Sequence, residues 1–377
     1  MDEARNIHEL VKSLMDLEKQ FPPRLLYQLS DLSPEEHKVL ASTWLAIPLK
    51  RRQTLLQDLV SLAENDPVLM YERVAEIALG DVDPQVQIMA VDLLFDCEDR
   101  HMIPTFLKIL ADKSLDESVR AAVANVLGPF VYMGEVDKIR PDLLNRIEES
   151  LLKAYHEDES DLVRRRAMEA MGYSSREEVP ALLRKAAAMG DEMWLESAMF
   201  AMGRSADEQW EPSVLENLDH ENIAVRIQAV HAAGELALKK ARRTLLQNVD
   251  KVQDETLRHE IIWALAQIGG EGVERKLEAL LSTAEDEEEV DVLEEALEML
   301  NFIEGDEEME LFSVPWEKTA LQTDEDNEDE DYPDDDDEYD EREEYDDEEW
   351  LRYVDDDDDE DDDDEFSYSD FDEDRFG

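Results

Sequence analysis

The stretch Asp116-Glu-Ser-Val-Arg-Ala-Ala-Val-Ala-Asn-Val-Leu-Gly128 decides the fold. An Asp at its head suits a helix N-cap, and apolar residues at Val119, Val123, Val126 and Leu127 share one face of a 3.6-residue helix. The pattern recurs seven times between Asp83 and Phe302. Its reference positions are Val86, Val119, Val163, Trp194, Val225, Leu257 and Val292, spaced 33, 44, 31, 31, 32 and 35 residues apart. Such a period belongs to a solenoid. Three residues before each stand Asp83, Asp116, Ser160, Asp191, Asn222, Asp254 and Glu289, the expected caps. Four residues after come Ala90, Val123, Ala167, Ala198, Ala229, Ile261 and Ala296. Nine after come Phe95, Gly128, Gly172, Gly203, Gly234, Ala266 and Asn301, where a Gly or Asn that ends a helix is expected.

Residues 116–128, 161–172 and 222–234 carry an Asp/Asn-x-x-Val-Arg-x-x-Ala-x-x-Ala-Leu-Gly shape. This resembles the HEAT-repeat family, and most of all its short, phycobilisome-lyase-type branch. The resemblance implies an all-α, HEAT-like α-solenoid of about seven or eight helix pairs. It further implies that Arg120, Arg164, Arg226 and Arg258 tie neighbouring repeats through the cap column, with Gln87, Leu195 and Leu293 interrupting that ladder.

Three regions are expected: an N-terminal amphipathic cap over 1–23, the solenoid over 24–303 with regular repeats from about 67, and an acidic tail over 304–377. In the first, Ile7, Leu10, Val11, Leu14 and Leu17 lie at helical spacing, and Phe21-Pro22-Pro23 breaks the helix. Ser33-Pro34-Glu35-Glu36 offers a capping box for a helix to about Ala46, and Pro48 opens another to about Glu64. These two match the repeat columns poorly and suggest an irregular capping repeat. First helices of the later pairs are expected over 67–79, 103–111, 141–155, 178–189, 212–218, 238–249 and 273–282. The 44-residue interval is assigned to a projecting loop, 129–141. Beyond Gly305 the periodicity ends.

The chain carries a net charge of −64. Residues 305–377 hold 40 acidic and 4 basic residues, a net −36, and the first 304 carry the other −28. So much like charge with so few aliphatic residues predicts a disordered tail. It also disfavours direct nucleic-acid or anionic-membrane binding and favours basic protein partners. A single cysteine, Cys97, provides no disulfide framework and fits a reducing cytoplasm. No stretch has the length and apolarity of a membrane span.

The resemblance implies that the second helix of each pair lines a concave surface. There, the position six after each reference residue should be the most exposed: Asp92, Asn125, Glu169, Phe200, His231, Trp263 and Glu298. The position five after (Val91 through Leu297) is apolar throughout and should pack on the next repeat. Phe200, His231 and Trp263 thus form an apolar stripe, rimmed two positions after the reference by Arg165, Glu196, Ile227 and His259. These rings either finish the core over neighbouring aliphatic side chains or anchor a partner. The partner-binding candidates are Phe200, His231, Trp263, Glu196 and His259. In the tail, Trp350 and Tyr353 make the candidate docking motif.

HEAT-like repeats also build deoxyhypusine hydroxylase, whose di-iron site resembles repeated His-Glu dyads. Of His8-Glu9, His156-Glu157, His220-Glu221 and His259-Glu260, only the last is in that register. One dyad does not supply two irons. No phosphate-binding glycine loop, Cys-x-x-Cys pair or His-x-x-x-His spacing occurs. Catalytic residues, metal and cofactor are therefore assigned as none, and a scaffold or adaptor is the expected function. A bilin-lyase or hydroxylase-type enzyme is the alternative. Three basic clusters (50–52, 164–166 and 239–243) are either solvated faces or docking points for the tail.

Overall fold

The structure is a computed structural model that describes residues 7–66, 68–95, 99–284 and 286–312, with side chains through 302. Two units are distinguished, Met1–Val314 and Pro315–Gly377. The second, with Trp350 and Tyr353, lies outside the described residues, as do Pro67 and Cys97.

Among the described residues the only regular elements of the first unit are helices. A leading helix, α1 (Ile7–Met15), precedes eight pairs. These are α2 (Pro34–Thr43) with α3 (Leu49–Asn65), α4 (Glu72–Leu79) with α5 (Pro84–Asp92), α6 (Ile103–Ala111) with α7 (Glu117–Glu135), and α8 (Pro141–Glu157) with α9 (Asp161–Ala170). There follow α10 (Val179–Ala187) with α11 (Glu192–Arg204), α12 (Glu211–Asn217) with α13 (Ile223–Glu235), α14 (Arg242–Asn248) with α15 (Glu255–Ile268), and α16 (Val273–Leu281) with α17 (Glu287–Phe312). The HEAT-like α-solenoid expected from the repeat is the architecture found.

Local chemistry accounts for most helix starts. Asp83, Asp116, Ser160, Asp191, Asn222 and Asp254 each accept a hydrogen bond from a backbone N–H of the first turn. Ser33 and Glu36 close the capping box, with the Ser33 N–H donating to Glu36 Oε2 at 2.8 Å. Glu289 is not a cap: α17 begins at Glu287, and Glu289 instead accepts from Arg258 Nε at 2.6 Å. In the same helix Leu293 takes the buried place expected of Val292. That helix also runs on through Gly305 to Phe312, past the expected end of the periodicity. Leu17 lies beyond α1 and is exposed. The first helix of the α14 pair starts at Arg242, not Leu238, though Leu238 and Ala241 are buried.

The segment 129–141 does not project. Helix α7 continues through Pro129 to Glu135, and Phe130, Val131, Met133 and Ile139 are buried. The Phe130 ring lies 6.1 Å from that of Phe106 on α6. Pro and Gly suggest a loop here, but burial of these side chains outweighs the lost backbone donor.

Second helices pack on one another from α3 through α17, whereas first helices meet one another far less. The glycines explain how. Gly172, Gly203 and Gly234 are near helix ends but keep negative φ, so left-handed capping is not their role. They permit close approach. A Cβ on Gly172 would lie 2.7 Å from Ala201 O and 2.9 Å from Ala201 Cα, and one on Gly203 would lie 2.9 Å from Ala232 Cα. Glycine of one repeat thus faces alanine of the next. Gly172→Ala should destabilise the fold by about 1–3 kcal/mol, because the opposing atoms are backbone and cannot rotate away. Urea denaturation measures this; an unchanged midpoint would mean the helices separate freely.

The arginine ladder is partial. Arg120 pairs with Asp158 of the next repeat, and Arg258 with Glu289 and the Val249 carbonyl. Arg164 instead bonds Asp161 and the Tyr155 carbonyl and lies 5.3 Å from the Trp194 ring. Arg226 forms no ion pair among the described residues, and its buried Nε has no partner. Arg52 on α3 adds a rung that the sequence columns do not reveal. Its Nε donates to Asp81 Oδ2 at 2.6 Å, and Trp44 Nε1 donates to the same oxygen at 2.7 Å. Asp81 stands two residues before the Asp83 cap, as Asp158 does before Ser160. The α2–α3 pair is accordingly a working repeat.

Candidate interaction face on the second helices

The side chains five positions after the reference, Val91 through Ile262, are buried between repeats; only Leu297 is half-exposed. The next column departs from expectation. Phe200, His231 and Trp263 are half-buried, and their rings stack on one another. The Phe200 and His231 rings stack with centroids 6.0 Å apart at 27°, and His231 and Trp263 at 4.7 Å and 11°. Glycine makes room for the last rung: a Cβ on Gly234 would lie 2.4 Å from the Trp263 ring. Glu169, in the same column, is buried and paired with Arg166.

The stack extends beyond the three predicted rings. Arg204, four residues after Phe200 on α11, places its guanidinium carbon 4.0 Å from the Phe200 ring centroid and 4.8 Å from that of Tyr173. Tyr173 lies 5.5 Å from Tyr132. A continuous file therefore runs Tyr132, Tyr173, Arg204, Phe200, His231, Trp263 across successive second helices. Burial pulls Arg204 below its ordinary range, against the nearby Tyr173, Glu169 and Glu235. Its Nη1 is buried without a hydrogen-bond partner among the described residues.

His231 is held on both sides. Nδ1 lies 2.8 Å from Glu260 Oε1 and Nε2 lies 3.5 Å from Glu235 Oε1. Burial opposes its charge most strongly, but the hydrogen bonds and charges of Glu235 and Glu260 together raise it to about 9. Glu235 is correspondingly lowered, first by its hydrogen bond with His231. A histidine with a raised folded-state value stabilises the fold fully below its unfolded value near 6.5, and loses that contribution as pH rises through 9. Stability should therefore fall by on the order of 2 kcal/mol between those pH values. His231→Gln should flatten this slope; an equal slope in both proteins would remove the imidazolium from the stack.

Of the other predicted residues, Glu196 and His259 are half-exposed, and Arg165 is buried, donating to Ser197 Oγ at 3.0 Å. Glu260, the acid of the one dyad in hydroxylase register, bonds His231. No group of three or more His, Cys, Asp or Glu able to hold a metal ion occurs among the described residues. The basic clusters are largely occupied. Arg51 donates to the Asp16 and Lys19 carbonyls, Arg52 to Asp81, Arg166 to Glu169 and Lys240 to Glu211. Lys50, Lys239 and Arg243 of the same clusters are exposed.

Residues 211–301, spanning α12 to α17, match the family model of HEAT repeats. That part of the chain carries HEAT repeats. The chain is similar to human deoxyhypusine hydroxylase at 17% identity, over 78% of this chain and 96% of the other, with a TM-score of 0.33. It is similar to importin beta at 16% identity, over 78% of this chain and 46% of the other, with a TM-score of 0.38. An engineered protein is 15% identical over 79% of this chain and 99% of its own, with a TM-score of 0.32. No curated protein matches the sequence. No helix among the described residues is long and apolar enough to cross a membrane.

Proposed function

We propose that the HEAT array is a non-enzymatic scaffold that holds a protein partner along the edges of its second helices. The observation that carries this reading is the file from Tyr173 to Trp263. It presents half-exposed rings in a row, with a guanidinium whose Nη1 has no hydrogen-bond partner among the described residues, rimmed by carboxylates. Aromatic and arginine side chains in such settings supply most of the energy of protein interfaces. Stacking fixes the rotamers before binding, so little side-chain entropy remains to be lost.

The partner that fits is a basic segment with apolar anchors. Glu196, Glu235 and Glu260 offer carboxylates beside the rings, and the first 304 residues carry a net −28. The tail adds a net −36, including Trp350 and Tyr353 as apolar contact points, and would raise the encounter rate with a basic protein by long-range attraction. The enzyme reading is the weaker one, since the acid of the only dyad in register is engaged with His231. Partner capture by a Phe200→Ala/Trp263→Ala protein tests the proposal: loss of the partner supports it, and undiminished capture refutes it.

A further inference from the structure

One rung of the arginine ladder lacks its acid, near the starts of α13 and α15. Arg120 pairs with Asp158, two residues before the next cap, and Arg258 pairs with Glu289, in the cap column itself. For Arg226 those two places are held by Val252 and Asp254. Valine offers no charge, and Asp254 Oδ1 instead accepts from the Leu257 N–H at 2.9 Å. Arg164 and Arg258 also donate to the carbonyl nine residues before them, Tyr155 and Val249. The corresponding carbonyl for Arg226, that of Asn217, accepts from the His220 N–H at 3.1 Å.

A cavity of about 370 Å³ lies at this place, and Arg226, Val252 and Asp254 all line it. Its other walls are mostly apolar, from Leu218, Val230, Leu245, Leu257 and Ile261. Arg226 is half-exposed, and only its Nε is sealed off without a partner. Nη1 and Nη2 are reached by solvent and make no hydrogen bond or ion pair among the described residues. A guanidinium beside apolar walls with no counter-ion keeps its desolvation cost, which a bound anion offsets. Lys251 adds a second cation on the cavity wall, exposed and without an ion pair among the described residues.

Two exposed carboxylates on the wall limit the charge of that anion. Asp254 is one, and the other is Asp219, which accepts from Asn248 Nδ2 at 2.8 Å. With two cations and two anions around the cavity, one negative charge is accommodated against Arg226, whereas a phosphate dianion meets repulsion. The apolar walls favour a hydrocarbon body behind that charge.

We propose that this cavity binds a small monocarboxylate with an apolar body. The carboxylate accepts a bidentate pair from the Arg226 guanidinium, taking the part that Asp158 and Glu289 play for Arg120 and Arg258. The body lies against Val230, Leu245 and Ile261. The volume falls within the range of ligand pockets.

The test is a titration of the full chain with phenylbutyrate, read at the δ-methyl resonance of Ile223, which lines the cavity and is 39% exposed. Ile223→Val assigns the resonance. The net charge of −64 repels anions from the rest of the chain, so diffuse binding contributes little. A saturable shift is expected, with phenylbutyramide about tenfold weaker or more. Arg226→Gln should lose about tenfold or more in affinity, with helix content retained. Val252→Asp should supply the missing acid within the chain, raising the unfolding midpoint and abolishing the shift. An Ile223 resonance that stays fixed would overturn the proposal. So would an amide that binds as tightly as the acid, or full affinity in Arg226→Gln or Val252→Asp.

Discussion

Asp81→Ala should destabilise the N-terminal part of the array by about 3–5 kcal/mol, the penalty for breaking a buried ion pair by removing one partner. The Asp81 side chain is fully buried and that of Arg52 is 6% exposed. The carboxylate receives the Arg52 Nε at 2.6 Å, Arg52 Nη2 at 3.0 Å, Trp44 Nε1 at 2.7 Å and the Asp83 N–H at 3.0 Å. Removing it leaves a cation in a low-dielectric interior, with only the Ile47 carbonyl still bonded to its guanidinium. It also strands the indole N–H. In a repeat array each unit depends on its neighbours, so the loss should appear as an early unfolding step of α1 to α5 ahead of the rest. Asp81→Ala/Arg52→Met should recover part of the loss, because it removes the stranded charge. A single unshifted transition in Asp81→Ala would show that the pair contributes nothing to joining α3 to α5.

The helix pairs were legible because cap, apolar stripe and small residue recur at fixed offsets, and local chemistry dictates each. The glycine column was legible as a column but not in its role. Whether Gly172 ends a helix or admits Ala201 depends on the neighbouring helix, which a single repeat does not contain. The segment 129–141 was misread for a related reason: Pro129 and Gly134 are local breaker signals, whereas burial of Phe130 and contact of Gly134 with Leu144 are tertiary.

The candidate face was half legible. Phe200, His231 and Trp263 follow from the column six positions after the reference. One helical turn further, Tyr173, Arg204 and Glu235 occupy successive repeats, and this second column completes the lattice. Arg204 pairs with Phe200 and Glu235 with His231, each with the six-position residue four before it. Comparing the column one residue beyond the glycine would have exposed it. The half-burial of the rings had no such signal. An angular projection treats each helix alone, whereas Phe200 and His231 stack against the ring of the next repeat.

The most direct test of the scaffold assignment is a binding measurement on Phe200→Ala/Trp263→Ala with the partner captured from native lysate and then purified. Phe200 and Trp263 flank His231 on either side, so truncating both removes the apolar anchors and leaves the imidazolium unstacked. Anchors of this kind contribute about 2 kcal/mol or more each when truncated, so affinity should fall about 30-fold for either alone and up to roughly several hundred-fold for both. Helix content measured by circular dichroism should be retained, because the columns that pack the repeats together are untouched. Affinity within a few-fold of the parent protein, with the fold intact, would contradict the placement of the partner on this face.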